Sequence, residues 1–130
     1  MRIIQSLALL CAAATMTGCN TAAPIMNVSN TTDIGPAGKP LSADEVRAAI
    51  VRAGASLGWV IADARPGALN GRLFVRTHTA DVEIPYTLAA YCITYKSSIH
   101  LNESGGQIHR DYNGWIRNLT RNINAQLAAS

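Results

Sequence analysis

The chain has 130 residues, of which 48% are hydrophobic and 15% are charged, and its formal net charge is +3. This length suits one domain rather than two, and the composition is that of a globular protein rather than a disordered one. So small a positive charge argues against nucleic acid as a partner, because nucleic-acid binding usually needs a concentrated basic face.

The first 18 residues have the composition of an export signal. Arg2 precedes a mainly apolar run that extends from Ile3 to Ala14. The run is too short for a transmembrane helix, which takes roughly 20 apolar residues, and it is typical of a signal peptide. Removing residues 1–18 takes away Arg2 and no acidic residue, so the formal charge would fall from +3 to +2.

The last three residues of this segment and the residue after it are Met16-Thr17-Gly18-Cys19. They resemble the bacterial lipobox, in which an aliphatic residue, a small residue and Gly or Ala precede a cysteine. The resemblance implies that a peptidase cuts between Gly18 and Cys19 and that the thiol of Cys19 takes up lipid. The alternative is an ordinary secretory signal that is cut elsewhere, for example after Ala14.

Lipid on Cys19 would anchor the protein stably, because each buried methylene contributes about 0.8 kcal/mol and more than one chain is attached. By the same resemblance, an Asp directly after the lipidated cysteine often retains a lipoprotein in the inner membrane. Asn20 stands there instead, so we expect the outer membrane. Cys11 would be lost with the signal segment, which leaves Cys92 without a partner for an internal disulfide.

Residues 19–40 are predicted to be the lipidated cysteine and a flexible tether, since this stretch is polar, contains three prolines and shows no periodicity. A single domain is expected over residues 41–130. Ser42 and Glu45 form a capping box for a first helix. The apolar residues that follow are spaced three and four apart, as on one helical face: Val46, Ala49, Ile50, Ala53 and Leu57.

Four strands are predicted next, over Trp59–Asp63, about 69–77, a segment around Val82 to Tyr86, and about 91–97. A two-residue turn at His78-Thr79 would join the second strand to the third. The register that follows pairs Val75 with Val82, Leu73 with Ile84, and Arg76 with Asp81. Apolar residues then oppose apolar residues on one face, and opposite charges meet on the other.

A last helix is predicted over about 109–128, because an apolar stripe there recurs at helical spacing. The expected fold class is therefore α+β, with an N-terminal helix, a four-stranded antiparallel meander and a C-terminal helix. Both helices are expected on one sheet face. The arginines at positions 110, 117 and 121 lie opposite the stripe, which is typical of a solvated face, with phosphate or lipopolysaccharide contact as the minority interpretation.

The domain also carries the element Ile108-His109-x-x-Tyr112-Asn113-x-Trp115. With the Gly58-Trp59 pair and the alternating third and fourth strands, it resembles a family of small proteobacterial lipoproteins that has no assigned activity. The similarity covers about residues 42–128. The resemblance implies an envelope location and an α+β fold, and it implies no substrate and no catalytic residues.

One group of side chains could contact a ligand or a partner. Its seven members are aromatic or amide residues that the predicted fold brings to the layer between the sheet and the last helix: Tyr86, Tyr91, Tyr95, His109, Tyr112, Asn113 and Trp115. The plainer interpretation is an aromatic core whose hydroxyls reach its edge. The alternative is a shallow groove for a small molecule or glycan.

No catalytic residue, metal site or cofactor is predicted. Gly54-Ala55-Ser56-Leu57-Gly58 matches the hydrolase elbow G-x-S-x-G, but here a helix precedes the serine and a strand follows it, which is the reverse of what the elbow requires. The three histidines and Cys92 lack the spacing of a metal site. The sequence thus predicts a non-enzymatic envelope lipoprotein that acts through protein contacts or as a structural accessory, with a periplasmic ligand-binding module as the alternative.

Overall fold

The computed structural model describes residues 21–32 and 40–130. Helix α1 (Ala43–Ser56) begins where the capping box predicts. Ser42 Oγ accepts a hydrogen bond from the backbone N–H of Glu45 at 3.1 Å, and the Glu45 carboxylate accepts one from the backbone N–H of Ser42 at 2.9 Å. Two backbone donors at the helix start are thereby satisfied. The predicted apolar face is buried at Val46, Ala49, Ile50 and Ala53.

The predicted meander is present as β3 (Val60–Arg65), β4 (Ala68–Val75), β5 (His78–Pro85) and β6 (Ala90–Ile99). A further strand, β2 (Val28–Thr31), pairs with the outer edge of β6, so the sheet formed by the described residues has five antiparallel strands in the order β2-β6-β5-β4-β3. Two short strands, β1 (Ala22–Pro24) and β7 (Gln107–His109), form a separate pair. The α+β class is confirmed, and the predicted four-stranded meander is matched in part, because β2 adds a fifth strand to it.

The register between β4 and β5 differs from the prediction. The turn lies at Arg76-Thr77 rather than at His78-Thr79, and Arg76 adopts a positive φ of 57°. Asp81 therefore faces Arg72, and Leu73 faces Ala80. Because the turn moves by two residues, every side chain keeps its predicted face and changes only its partner.

Crowding at Gly71 explains why the observed register packs well. Gly71 lies opposite Val82, and a Cβ at this position would stand 3.1 Å from Val82 Cγ2, 3.2 Å from Ile61 and 3.3 Å from Trp59. A residue without a side chain therefore leaves room for three apolar neighbours.

Helix α2 (Arg110–Ala128) follows β7 directly. Its predicted apolar stripe is fully buried at Tyr112, Ile116, Leu119, Ile123 and Leu127. These residues join one core with the buried face of α1 and with inward residues of the sheet such as Val82 and Ile84. Neither α1 nor α2 has the length and apolar character that crossing a membrane requires.

The prediction of a flexible tether over residues 19–40 is wrong for residues 21–32, because these form β1 and β2. Ile25 donates its backbone N–H to the carbonyl of Gly106 at 2.9 Å, and Thr32 donates to the carbonyl of Ala89 at 2.9 Å. Between these bonds, Met26 and Val28 pack against the core. Strand pairing with distant segments thus orders a stretch that shows no pattern in the sequence.

Candidate functional site

The predicted cleavage and lipid site, Gly18 and Cys19, lies outside the described residues. The described chain begins at Thr21, whose carbonyl accepts a hydrogen bond from the backbone N–H of Arg110 at 2.8 Å. Strand β1 follows at once and pairs with β7. A residue two positions after Cys19 is therefore bonded to the start of helix α2.

Two of the seven candidate contact residues are core tyrosines. Tyr91 is 1% exposed, and its hydroxyl accepts a hydrogen bond from Asn30 Nδ2 at 3.1 Å and donates one to Asn124 Oδ1 at 2.6 Å. Tyr112 is fully buried, and its hydroxyl has no hydrogen-bonding partner among the described residues. Burial raises the pKa of both phenols, because it disfavours the charged phenolate.

Asn113 and His109 have local structural partners. The Asn113 amide accepts a hydrogen bond from the backbone N–H of Met26 at 3.0 Å and donates one to the carbonyl of Pro24 at 2.8 Å. His109 is the N-cap of α2, where its Nδ1 accepts from the backbone N–H of Asp111 at 3.1 Å. Asn113 thus holds the segment between β1 and β2 against α2.

The remaining three, Tyr86, Tyr95 and Trp115, are half-buried and pack against the core. The rings of Tyr95 and Tyr112 make an edge-to-face contact, with their centroids 5.5 Å apart and their planes at 84°. The Tyr95 hydroxyl is hydrogen-bonded to Ser98 Oγ at 2.8 Å. Core, cap and half-buried positions are therefore mixed in the set of seven, and its deepest hydroxyl, that of Tyr112, lies inside the core.

A different surface is open to contacts. Three of the large apolar side chains exposed in the described chain point outward from β3, β4 and β6: Val60 (60% exposed), Phe74 (60%) and Ile99 (54%). Phe74 and Ile99 both flank Thr79 in the strand register, and Val60 is opposite Arg72. We call this outward surface of β3 to β6 the open sheet face.

Hydrogen-bonded polar side chains separate the apolar positions of the open sheet face. Arg72 donates twice to the Asp81 carboxylate, at 2.6 Å and 3.2 Å, and Ser97 Oγ donates to the same carboxylate at 3.0 Å. The hydrogen bonds of Arg72 to Asp81, and its electrostatic attraction to that carboxylate, raise the pKa of the Arg72 guanidinium. The guanidinium also lies 6.0 Å from the centroid of the Phe74 ring, within reach of a cation–π contact.

A shallow cavity of about 360 Å³ lies over Gly71 on this face. Its walls combine apolar side chains from β3 with polar ones from β4, β5 and β6: Val60, Ala62, Asn70, Arg72, Asp81, Lys96 and Ser97. Lys96 Nζ donates to Asn70 Oδ1 at 3.2 Å, which crosses one side of the cavity. The lining of this cavity therefore mixes apolar groups with charged ones.

The alternation in β4 contained the information that Phe74 points outward, since it lies between Arg72 and Arg76 in the sequence. The sequence did not predict the open sheet face as one surface. Which side chains lie side by side on neighbouring strands depends on the strand register, and the predicted register between β4 and β5 was wrong. Cys92 belongs to the same side of the sheet. It is half-buried, and its Sγ lies 3.7 Å from Ser29 Oγ of β2.

The other residues considered for chemistry have structural roles. His78 Nδ1 is bonded to the His100 carbonyl at 2.8 Å, and His100 Nδ1 to the Thr77 carbonyl at 3.0 Å. Ser56 Oγ donates to the Ala53 carbonyl at 2.8 Å, at the end of α1. Within residues 21–32 and 40–130, no three His, Cys, Asp or Glu side chains are grouped so that they could hold a metal ion.

Comparison with protein-family models, with curated proteins and with solved structures finds no match for this chain. The resemblance to small proteobacterial lipoproteins therefore stays a prediction.

Proposed function

We propose that this chain is a bacterial envelope lipoprotein, cut before Cys19 and anchored by lipid on that cysteine, preferably in the outer membrane. The domain acts without catalysis, through contacts between its open sheet face and other envelope proteins. The observation that carries the contact proposal is the exposure of Val60, Phe74 and Ile99 on one face, because grouped exposed apolar side chains often mark interaction sites.

In this proposal both helices cover one face of the sheet and leave the open sheet face free. Strand β3 supports the proposal as well, because it is an edge strand within the described part of the chain, and a partner strand could pair with an edge. The alternative, a ligand groove lined by the aromatic set, has less support because Tyr91 and Tyr112 are buried and Asn113 is bonded to Pro24 and Met26.

The anchor is tested by comparing two cysteine variants of the full chain in a lipoprotein-processing bacterium. We expect Cys19→Ser to lose incorporation of radioactive palmitate and to leave the membrane fraction or remain uncleaved. The control Cys92→Ser should incorporate palmitate as the wild type does. Palmitate that persists in Cys19→Ser would rule out the proposed attachment site.

The contact surface is tested by photo-cross-linking in intact envelopes. A benzophenone amino acid in place of Phe74 should give a discrete adduct, whereas one in place of Ala55, on the exposed side of α1, should not. Adding Ile99→Asp to the first variant should abolish its adduct, because this charge lies in the same cross-strand row as Phe74, with Thr79 between them. Equal adducts from both positions, or an adduct insensitive to Ile99→Asp, would contradict the proposal.

A further inference from the structure

The position of Thr21 restricts how an anchored domain can lie on its membrane. Two residues of extended chain span at most about 7 Å. The carbonyl of Thr21 is bonded to the backbone N–H of Arg110 at 2.8 Å, so lipid on Cys19 would hold the start of α2 within roughly 10 Å of the lipidated residue, at the membrane surface. A tether of 21 residues would have left the orientation free, but residues 21–32 contain the two strands β1 and β2, which pair with β7 and β6 of the domain.

Helix α2 presents positive charge beside this attachment point. Arg110, Arg117 and Arg121 are exposed, and spacings of seven and four residues place them within about 20° of one line along the helix. We call these three residues the arginine stripe. It extends over roughly 16 Å from the attachment point, on nearly the opposite side of the helix from the buried residues Tyr112 and Ile123.

Shallow cavities flank the stripe on two sides. One of about 340 Å³ lies among Arg110, Asp111, Gly114 and Arg117, and another of about 350 Å³ lies among Met26, Arg117, Arg121 and neighbouring residues. Arg117 lines both. Asp111 is the single acidic residue of α2, so the stripe keeps an excess of positive charge.

We propose that the arginine stripe lies on the anionic phospholipid headgroups of the membrane that holds the lipid anchor. The inference rests on the proposed lipidation of Cys19. The phosphates bind at the stripe because guanidinium groups donate paired hydrogen bonds to phosphate oxygens. Since α2 packs its opposite side on the core, the docked domain directs its open sheet face away from the membrane, where envelope proteins can reach it.

The test uses the processed and lipidated protein, produced from the full-length chain in a Cys92→Ser background and reconstituted into vesicles. A fluorophore is attached at Asn118→Cys, beside the stripe, or at Thr94→Cys, exposed on the open sheet face. Quenching by headgroup-spin-labelled lipid is measured in vesicles of phosphatidylethanolamine with phosphatidylglycerol, and in vesicles of phosphatidylcholine alone.

In the anionic vesicles we expect the fluorophore at position 118 to be quenched and the one at position 94 not to be. Added salt should weaken the quenching at position 118. In the 118-labelled protein, Arg117→Gln with Arg121→Gln should lower the ratio of docked to undocked protein about 25-fold, which is roughly fivefold per arginine near an anionic surface. Arg76→Gln with Lys96→Gln removes the same charge from exposed positions on β6 and the β4–β5 turn, and should leave the ratio unchanged.

Equal quenching at 94 and 118, or no difference between the two double variants, overturns the docking inference. If the protein still floats with the vesicles in that case, the proposed lipoprotein function survives. Mass spectrometry of the same preparation tests whether Cys19 carries lipid. A mature chain without lipid on Cys19 overturns the proposed anchor and, with it, the docking inference.

Discussion

At the scale of single residues, Asn113 connects helix α2 with the segment between β1 and β2. Its side chain is 7% exposed and bonds the backbone of both Pro24 and Met26. Asn113→Ala should lower the free energy of unfolding by about 2 kcal/mol, because it removes two hydrogen bonds and leaves a poorly accessible N–H without its acceptor. Urea denaturation measures this loss, and hydrogen exchange at the Met26 amide should become faster.

The matched control for that change is Asn118→Ala, five residues further along α2. Asn118 is exposed and accepts a hydrogen bond from the exposed Arg121 at 3.1 Å. Both variants gain the same helix propensity, so their difference isolates the contact with the N-terminal segment. Asn118→Ala should change stability by less than about 0.5 kcal/mol; equal losses in the two variants would show that Asn113 does not hold the segment.

The two core tyrosines differ in their hydroxyl partners. Tyr91→Phe should cost about 1–2 kcal/mol, because Asn30 and Asn124 each lose a hydrogen bond. Tyr112→Phe should be neutral or stabilising, because it removes a buried hydroxyl without a partner among the described residues. Thermal unfolding of the two variants gives the comparison, and a large loss in Tyr112→Phe would contradict this account of its hydroxyl.

The raised pKa of Tyr112 predicts a loss of stability in alkali. Below the ordinary tyrosine pKa of about 10 the phenol is neutral in both folded and unfolded chains, so it adds no pH dependence. Above that pH the unfolded chain releases the proton while the folded chain keeps it, and stability falls as the pH rises. Tyr112→Phe should make this fall shallower by up to about 1.4 kcal/mol per pH unit in urea titrations. An unchanged slope would contradict burial as the cause.

At the scale of elements, two helical glycines predict opposite effects of one substitution. A Cβ at Gly54 of α1 would stand 2.5 Å and 2.7 Å from Ile61 of β3, whereas one at Gly114 of α2 would meet nothing closer than Arg117 at 3.8 Å. Gly54→Ala should therefore lose about 1–3 kcal/mol through overpacking, and Gly114→Ala should gain about 0.5–1 kcal/mol through helix propensity. Denaturation midpoints test both, and a gain in both variants would exclude close packing of α1 on β3.

The elements also show how far the sequence could predict the fold. The capping box at Ser42 and Glu45 located the start of α1, because both bonds join residues three apart. Alternation assigned the faces of β4 and β5 correctly. It could not determine their register, because a shift by two residues preserves every face. The choice depended on the turn at Arg76 and on the room that Gly71 leaves for its neighbours.

At the scale of the whole molecule, the folded domain includes residues 21–32, well before the predicted boundary at Leu41. A chain that starts at Leu41 would lack β1, β2 and the packing of Ile25, Met26 and Val28 on the core. We expect it to be at least about 3 kcal/mol less stable than a chain that starts at Thr21, since each partly buried side chain contributes about 1 kcal/mol. Urea denaturation compares the two, and equal midpoints would restore a domain of residues 41–130.

For the candidate site too, the sequence predicted features set by local patterns and did not predict contacts between distant residues. The lipobox resemblance at Cys19 and the outward position of Phe74 could be stated from local patterns. The seven-residue aromatic set was grouped from the sequence as well, but its partners were not predictable. Asn113 bonds residues 87 and 89 positions away in the chain, and no local spacing encodes such pairs.

The sequence by itself determined the helix start at Ser42, the buried stripe of α2 and the alternating faces of the meander, because these depend on residues a few positions apart. Only the tertiary structure decided that residues 21–32 contain two strands, that Asp81 faces Arg72, and that Thr21 meets the start of α2. Each of these depends on backbone and side-chain bonds between distant segments, whose geometry is set when the whole core packs.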